Sequence, residues 1–350
     1  GPIQKRKATH LVEYEAVIGL ETHVQLKTRS KMFGTSSAEY QTAEPNTLVD
    51  EVSMALPGTL PVVNETAVEY AMMIGMAINC NIARITKFDR KNYTYPDLMK
   101  GYQITQMDEP ICYEGYVDLP IEDSIRVRIN RVHMEEDVAR LIHVEGPHGG
   151  TVHSLIDINR AGTPLMEVVT EPDMHTSEQV EAYINNLQHI IRYLGVGTAN
   201  MEEGSFRCDA NVSVRPKGMK ELTTKVEVKN MNRVRAVVRA VEYEIERQIA
   251  ANESGERIVQ ETRGWDDGKG ITVPQRSKEE ANDYRYFPEP DIPPLIISEE
   301  WIERTQAAMP ELPIPRKARF VSEWGLSEYD ADLLTALRST ADYFELVCEG

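Results

Sequence analysis

Apolar and polar residues alternate strictly from Phe206 to Arg215, with Phe206, Cys208, Ala210, Val212 and Val214 on one side and Arg207, Asp209, Asn211, Ser213 and Arg215 on the other. A period of two is that of a β-strand with one face in a core and the other free for solvent or chemistry. Pro216-Lys217-Gly218-Met219 can reverse the chain, and the alternation resumes from Leu222 to Lys229 with Thr223, Lys225, Glu227 and Lys229 on the polar side. Pairing of the two strands would place Arg207, Asp209, Lys225 and Glu227 on one surface. That surface is either a solvated face held by cross-strand ion pairs, each contributing about 0.2–1 kcal/mol, or a site. Met201-Glu202-Glu203-Gly204-Ser205 just ahead adds two carboxylates and a glycine turn. Clustered carboxylates repel one another unless a cation lies among them.

The rest of the chain supplies more strands and a few helices. Tyr14 to Leu26 reads as a strand with Ala16, Ile18, Leu20, Thr22, Val24 and Leu26 on one side and Glu21, His23 and Gln25 on the other. A Glu and a His two apart on a strand point the same way, as a hydrogen-bonded surface pair or as ligands. Ile125 to Arg131 alternates again and leads into His133-Met134-Glu135-Glu136-Asp137, three consecutive acids at a strand end that are either a solvated turn or ligands. The Gly-rich segment 144–151 reads as a hairpin tip, Leu155 to Arg160 as a return to the sheet, and Leu165 to Thr170 as a strand presenting Glu167. Helices are expected at Ala67 to Asn79, rich in Met and Ala, at Thr176 to Leu194, and from an Asn232 cap to just before Asn252. Beyond Asp266 the chain turns loop-rich, and Tyr284 to Asp291, followed by Pro293-Pro294, reads as a cover over the sheet. Short helices follow from about Ser298 and Ile314. A last one, capped by Ser327, carries Leu333, Leu334, Leu337, Ala341 and Phe344.

Length and composition narrow the class. The 350 residues, 41% hydrophobic, can bury a large core in one or two domains. No apolar run reaches the roughly 18–20 residues that cross a bilayer, and no signal-like segment opens the chain, so a cytoplasmic protein is expected. Gly1-Pro2 reads as a cloning remnant. Cys80, Cys112, Cys208 and Cys348 lack paired spacing and read as reduced thiols. The formal charge of −18 argues against broad nucleic-acid binding. Lys87, Arg90, Lys91 and Lys100 could still form a local basic patch, or a solvated rim.

Three runs carry a family resemblance: Met-Glu-Glu-Gly-Ser (201–205), Arg-Cys-Asp-Ala-Asn-Val-Ser (207–213) and Asp-Tyr-Arg-Tyr-Phe-Pro-Glu-Pro-Asp (283–291). With them the chain, from about Tyr14 to Phe344, closely resembles the B subunit of the tRNA-dependent amidotransferases, which convert Glu-tRNA(Gln) to Gln-tRNA(Gln) or Asp-tRNA(Asn) to Asn-tRNA(Asn). The resemblance implies an α+β fold, an antiparallel sheet curved into a cradle like that of glutamine synthetase and the guanidino kinases. It implies a cradle domain over 14–295 after a tag or disordered segment 1–13, and the start of a helical domain over 296–350, without the tail domain that grips the tRNA body in the family. It implies ATP and Mg2+ as cofactors, with metal ligands among Glu21, His23, Glu136, Glu167, Asp209 and Glu227, and Glu136, Asp209 and Glu227 catalytic. Lys87, Arg90, Lys91, Arg207 and Ser205 would bind the nucleotide. The segment Lys87 to Asp97, with Tyr102 and Gln103, would border the nucleotide and the tRNA acceptor end.

The activity so implied is ATP-dependent phosphorylation of the side-chain carboxylate of a misacylated tRNA, followed by amidation with ammonia from a partner. The partners would be an amidase A subunit and a small C subunit, with the tRNA acceptor end as substrate. Many bacterial relatives hold a structural zinc with cysteines, where this chain has Gly34, Ser36, Asp50 and Ser53, so no zinc is expected. Two other classes fit the same residues. One is a metal-dependent ligase acting on a small free acid; the other is a noncatalytic scaffold for an amidase.

Overall fold

The computed structural model describes residues 12–147, 150–277 and 283–349. The Gly1-Pro2 remnant, most of the 1–13 segment, and part of the hairpin tip at 148–149 lie outside them. Sixteen strands are described: β1 (Tyr14–Gln25), β2 (Asn81–Ile82), β3 (Ile85–Thr86), β4 (Asp89–Asn92), β5 (Tyr102–Thr105), β6 (Cys112–Asp118), β7 (Arg126–Glu136), β8 (Arg140–Glu145), β9 (Thr151–Asp157), β10 (Pro164–Thr170), β11 (Phe206–Pro216), β12 (Val226–Lys229), β13 (Glu261–Asp266), β14 (Ile271–Ser277), β15 (Phe287–Pro288) and β16 (Leu295–Ile296). The helices are α1 (Glu65–Ala77), α2 (Ser177–Leu194), α3 (Val234–Ser254), α4 (Glu299–Ala307), α5 (Pro313–Trp324), α6 (Glu328–Thr335) and α7 (Arg338–Glu349).

Nine strands form one sheet in the order β14-β13-β12-β11-β1-β10-β7-β6-β2, and every pairing in it except β12 with β13 is antiparallel. This is an α+β architecture. On β1 the residues Ala16, Ile18, Leu20, Thr22 and Val24 are all at most 6% exposed and face the helices, as their alternation requires. They merge with Val180, Ile184, Leu187 and Ile191 of α2 and Ala236, Val237, Ala240 and Val241 of α3 into one core. Thr176 caps α2 by accepting a bond from the Gln179 amide, and Gly195 closes it in the left-handed region with φ 75°. The opposite face of the sheet carries Glu21, His23, Arg207 and Asp209.

Several boundaries differ from those the sequence suggests. The second hairpin strand is only Val226–Lys229, so Thr223 and Lys225 lie outside it and Lys229 joins Asp209 and Glu227 instead. Residues 155–157 do not return to the large sheet; β8 and β9 form a separate two-stranded sheet, and 158–160 is a 3-10 turn. Strand β7 runs on through Glu136, so the run His133 to Glu136 is strand rather than turn. Helix α3 begins at Val234 after Arg233, not at an Asn232 cap, and continues to Ser254, where Gly255 ends it at φ 79°. The last helix is two: the break between α6 and α7 lets α7 fold back on α5, closing Phe320, Ala331 and Ala341 into a small second core. Among the described residues no helix is long and apolar enough to cross a membrane.

Candidate functional site

The register of five neighbouring strands assembles the site. Glu167 of β10 pairs with His23 of β1, His23 pairs with Arg207 of β11, and Glu21 pairs with Asp209. Directly opposed residues share a face. Asn211, two beyond Asp209, pairs with Glu227 of β12, which extends the same face. On the other side, Glu167 pairs with His133 of β7, and Glu135, two residues on, lies beside it. Glu21, His23, Glu167, Arg207, Asp209 and Glu227 are therefore neighbours on one face.

At its centre His23 Nε2 lies 3.3 Å from Glu135 Oε1 and 3.6 Å from Glu167 Oε2. His133 Nε2 lies 2.9 Å from the same Glu167 oxygen and 3.8 Å from Glu135 Oε2. The Thr105 hydroxyl donates to Glu135 Oε2 at 3.1 Å. Burial disfavours charge on His23, but the Glu167 and Glu135 carboxylates outweigh it and lift its pKa to about 9. The same contest raises His133. Burial would raise Glu135 and Glu167 in turn, and the two imidazoles beside them hold both below the usual carboxylate range. One ligand atom each from His23, Glu135 and Glu167 falls within 4.8 Å of the others, a spacing that one cation can span. A divalent ion there would take the place of the imidazolium protons.

The flanking acids are partnered differently. Burial, then repulsion from Glu167, raises the Glu21 pKa, and the Asn211 amide donates to Glu21 Oε1 at 3.0 Å. Lys229 Nζ reaches Asp209 Oδ2 at 2.8 Å and Glu227 Oε1 at 3.3 Å, and Thr262 donates to Glu227 Oε2 at 2.8 Å. Burial works against the Lys229 charge, yet Asp209 and Glu227 raise its pKa above the ordinary lysine value. Arg207 donates from Nη2 to the buried Asp137 at 3.1 Å, and Arg160 approaches the same carboxylate at 3.7 Å. Beside them opens a cavity of about 480 Å³ lined by Arg140, Arg160, Arg207, Tyr40 and Asp209 among others.

Glu136 does not join this cluster. Successive strand residues point to opposite faces, and Glu136 pairs with Pro164 on the side of Met134 and Met166. Its carboxylate accepts from Lys100 Nζ and from the Ile104 amide at 3.1 Å. Glu135, absent from the expected ligand set, takes the place in the cluster that the resemblance gives to Glu136. The signal is present in the sequence: the two-residue spacing that aligns Glu21 with His23 also aligns His133 with Glu135.

The expected basic patch is largely neutralised. Lys87 pairs with Asp89 and Asp108, Arg90 chelates Glu289 at 2.6 and 2.9 Å and touches Asp291 at 3.2 Å, and Lys100 is taken by Glu136. Arg90 thereby ties β4 to the 289–291 segment, next to the pairing of β15 with β4. Lys91 lies 4.6 Å over the Tyr284 ring and 5.7 Å over that of Tyr93. Ser205 is buried in the turn before β11, where its hydroxyl accepts from the Asn200 amide at 2.9 Å and lies 2.7 Å from the Thr198 hydroxyl.

Gly34, Ser36, Asp50 and Ser53 converge as well. Asp50 Oδ2 accepts from the Ser36 amide at 3.0 Å and its hydroxyl at 2.8 Å, and Oδ1 accepts from the Ser53 amide at 2.8 Å. A Cβ on Gly34 would lie 2.3 Å from Asp50 Oδ2, so the carboxylate occupies the space a side chain would need. One carboxylate joins the positions at which the resemblance implies cysteines.

Known proteins match this chain over nearly its whole length. Residues 16–303 match the GatB/GatE catalytic domain. The B subunit of an aspartyl/glutamyl-tRNA(Asn/Gln) amidotransferase from Dehalococcoides mccartyi is 59% identical over 338 residues, which is 96% of this chain and 68% of that protein. Proteins of the same name from Carboxydothermus hydrogenoformans and Thermomicrobium roseum are 52% and 53% identical, each over 97% of this chain and 70% of their own length.

Proposed function

The chain belongs to the GatB/GatE catalytic-domain family, and we propose from that premise that it activates the side-chain carboxylate of Glu-tRNA(Gln), Asp-tRNA(Asn) or both for amidation. The γ-phosphoryl group of ATP passes to a carboxylate oxygen and ADP leaves. Ammonia then bonds to the acyl carbon, the bond to phosphate breaks, and a proton is lost from nitrogen. Oxide is too poor a leaving group for ammonia to displace from a free carboxylate, and the acyl phosphate removes that obstacle.

The observation that carries the reading is the acidic cluster of His23, Glu135 and Glu167, set on one sheet face with Glu21, Asp209, Glu227 and Arg207. Two carboxylates and an imidazole are a donor set that suits Mg2+ and also accepts Mn2+. Held by these three residues, such an ion would neutralise charge building up between two anions during phosphoryl transfer. Arg207 is oriented by Asp137, which leaves further guanidinium donors for a phosphate. Lys229 holds Asp209 and Glu227 in place beside the cluster. We read the sheet as a cradle of the glutamine synthetase and guanidino kinase kind, working in the cytoplasm with an amidase A subunit and a small C subunit that supply ammonia.

The test is ATP-dependent amidation of each charged tRNA with ammonium supplied in solution and Mg2+ or Mn2+ present. Amidation of either tRNA, with one phosphate released per amide, is expected. Amidation of free glutamate or aspartate at the same rate would favour the small-acid ligase. Absence of both amidation and nucleotide binding would leave the scaffold reading.

A further inference from the structure

Two imidazoles face Glu167, and they are held differently. His133 Nε2 lies 2.9 Å from Glu167 Oε2, and His23 Nε2 lies 3.6 Å from the same oxygen. On the far side of the His133 ring, Arg131 Nε donates to Nδ1 at 3.1 Å. Among the described residues the His23 ring accepts no such bond from an arginine. Arg131, His133 and Glu135 alternate along β7 and share its face, so the guanidinium reaches the ring two residues on. Its other end is anchored: Nη2 donates to the Gln106 carbonyl at 2.6 Å and Nη1 to that of Met107. Gln106 is fixed in turn, its amide group donating to the Thr86 hydroxyl at 2.7 Å and accepting from the Met134 amide at 3.0 Å.

Arginine has donors and no acceptor, and a neutral imidazole has one nitrogen of each kind. The contact with Arg131 therefore makes Nδ1 the acceptor and puts the single proton of His133 on Nε2, facing Glu167. That is the form left once a cation has displaced the second proton of the ring. A nitrogen that carries a proton has no lone pair to give a metal, so His133 in this form cannot ligate through Nε2. His23 is under no such constraint, and its Nε2 is free to share an ion with Glu135 and Glu167. Resting on the cation reading above, we propose that Arg131 makes His133 a hydrogen-bond donor that orients Glu167, rather than a second imidazole ligand. Arg131 is thus a positioning residue, acting on the ion through His133 and Glu167.

Nitrogen-15 spectra of the histidine-labelled chain in Mg2+, with His133→Gln for assignment, test the arrangement without requiring an arginine variant to fold. His133 should carry its proton on Nε2 and His23 on Nδ1, opposite tautomers in neighbouring rings. The same tautomer in both, or a proton on Nδ1 of His133, would overturn the proposal. Arg131→Met is close in length and has no donors. It should weaken Mn2+ binding, followed by electron paramagnetic resonance, by about tenfold or more, and it should let His133 adopt either tautomer. Arg131→Lys, which keeps a charge and a donor, should recover part of the affinity. Thermal melts establish that both variants are folded. Parent affinity for Mn2+ in folded Arg131→Met would overturn the positioning role while leaving the cation reading intact. A parent chain that binds no Mn2+ would overturn both.

Discussion

Glu135 and Asp50 are both nearly buried carboxylates, 4% and 9% exposed, yet their surroundings are opposites. Glu135 shares its space with a second carboxylate, Glu167, and the pair is kept in balance by His23 and His133, whose protons can be lost to solvent when a cation takes their place. Asp50 stands apart from other acids and takes three hydrogen bonds from Ser36 and Ser53. A carboxylate supplied with fixed donors is a strut. Carboxylates crowded together and balanced mainly by removable protons, with one fixed donor in Thr105, form a receptor. What separates the two is how their charge is met rather than how deeply they are buried.

The largest expected effect falls on the receptor. Glu135→Gln or Glu167→Gln should lower ammonia-dependent amidation by at least about a hundredfold, with the circular dichroism spectrum unchanged. Glu136→Gln should be milder, because its carboxylate faces Lys100 and Ile104; an effect as large as that of Glu135→Gln would break the distinction between the two faces. Asp50→Ala should do the reverse. It strands the Ser36 and Ser53 amides and costs about 2–4 kcal/mol in denaturant unfolding.

Gly34→Ala should destabilise by about 1–3 kcal/mol, since the new methyl must push the Asp50 carboxylate off its donors. In the Gly34→Ala/Asp50→Ala double variant the two costs should fall well short of additive. The smallest effect is in pH. Burial alone would raise the Asp50 pKa, but the bonds from Ser53 and Ser36 outweigh it and hold it below the ordinary aspartate value. A group depressed in the folded state stabilises above its unfolded pKa, about 3.9, and loses that contribution as pH falls through the folded value. The stability gap between parent and Asp50→Asn should therefore be constant near neutrality and shrink below about pH 4. A gap that widened on acidification would contradict the strut.

The sheet face is legible because period-two alternation is a local signal: β1 and β11 can each be read alone, and Glu21, His23, Arg207 and Asp209 follow. Glu135 is passed over because the resemblance points to its neighbour Glu136; once β7 extends through Glu136, parity puts Glu135 on the face of His133 and Glu136 on the other. The basic patch fails for another reason. Asp89 lies two residues from Lys87, but Asp108, Glu289 and Asp291, which complete the neutralisation of Lys87 and Arg90, lie between 21 and 201 residues away in sequence, and no local pattern announces them. The convergence of Gly34, Ser36, Asp50 and Ser53 is available only through family resemblance, because a Gly, two Ser and an Asp carry no spacing of their own.

The Asp50 strut also bears on oxidation. A zinc cage made of thiolates, as the resemblance implies for many relatives, comes apart when peroxide oxidises its sulfurs. Residues 34–53 contain neither cysteine nor methionine. In this chain the stretch from Gly34 to Ser53 is cross-linked by groups that peroxide does not attack, so it should keep its shape through an oxidative pulse that would empty a cysteine-ligated counterpart.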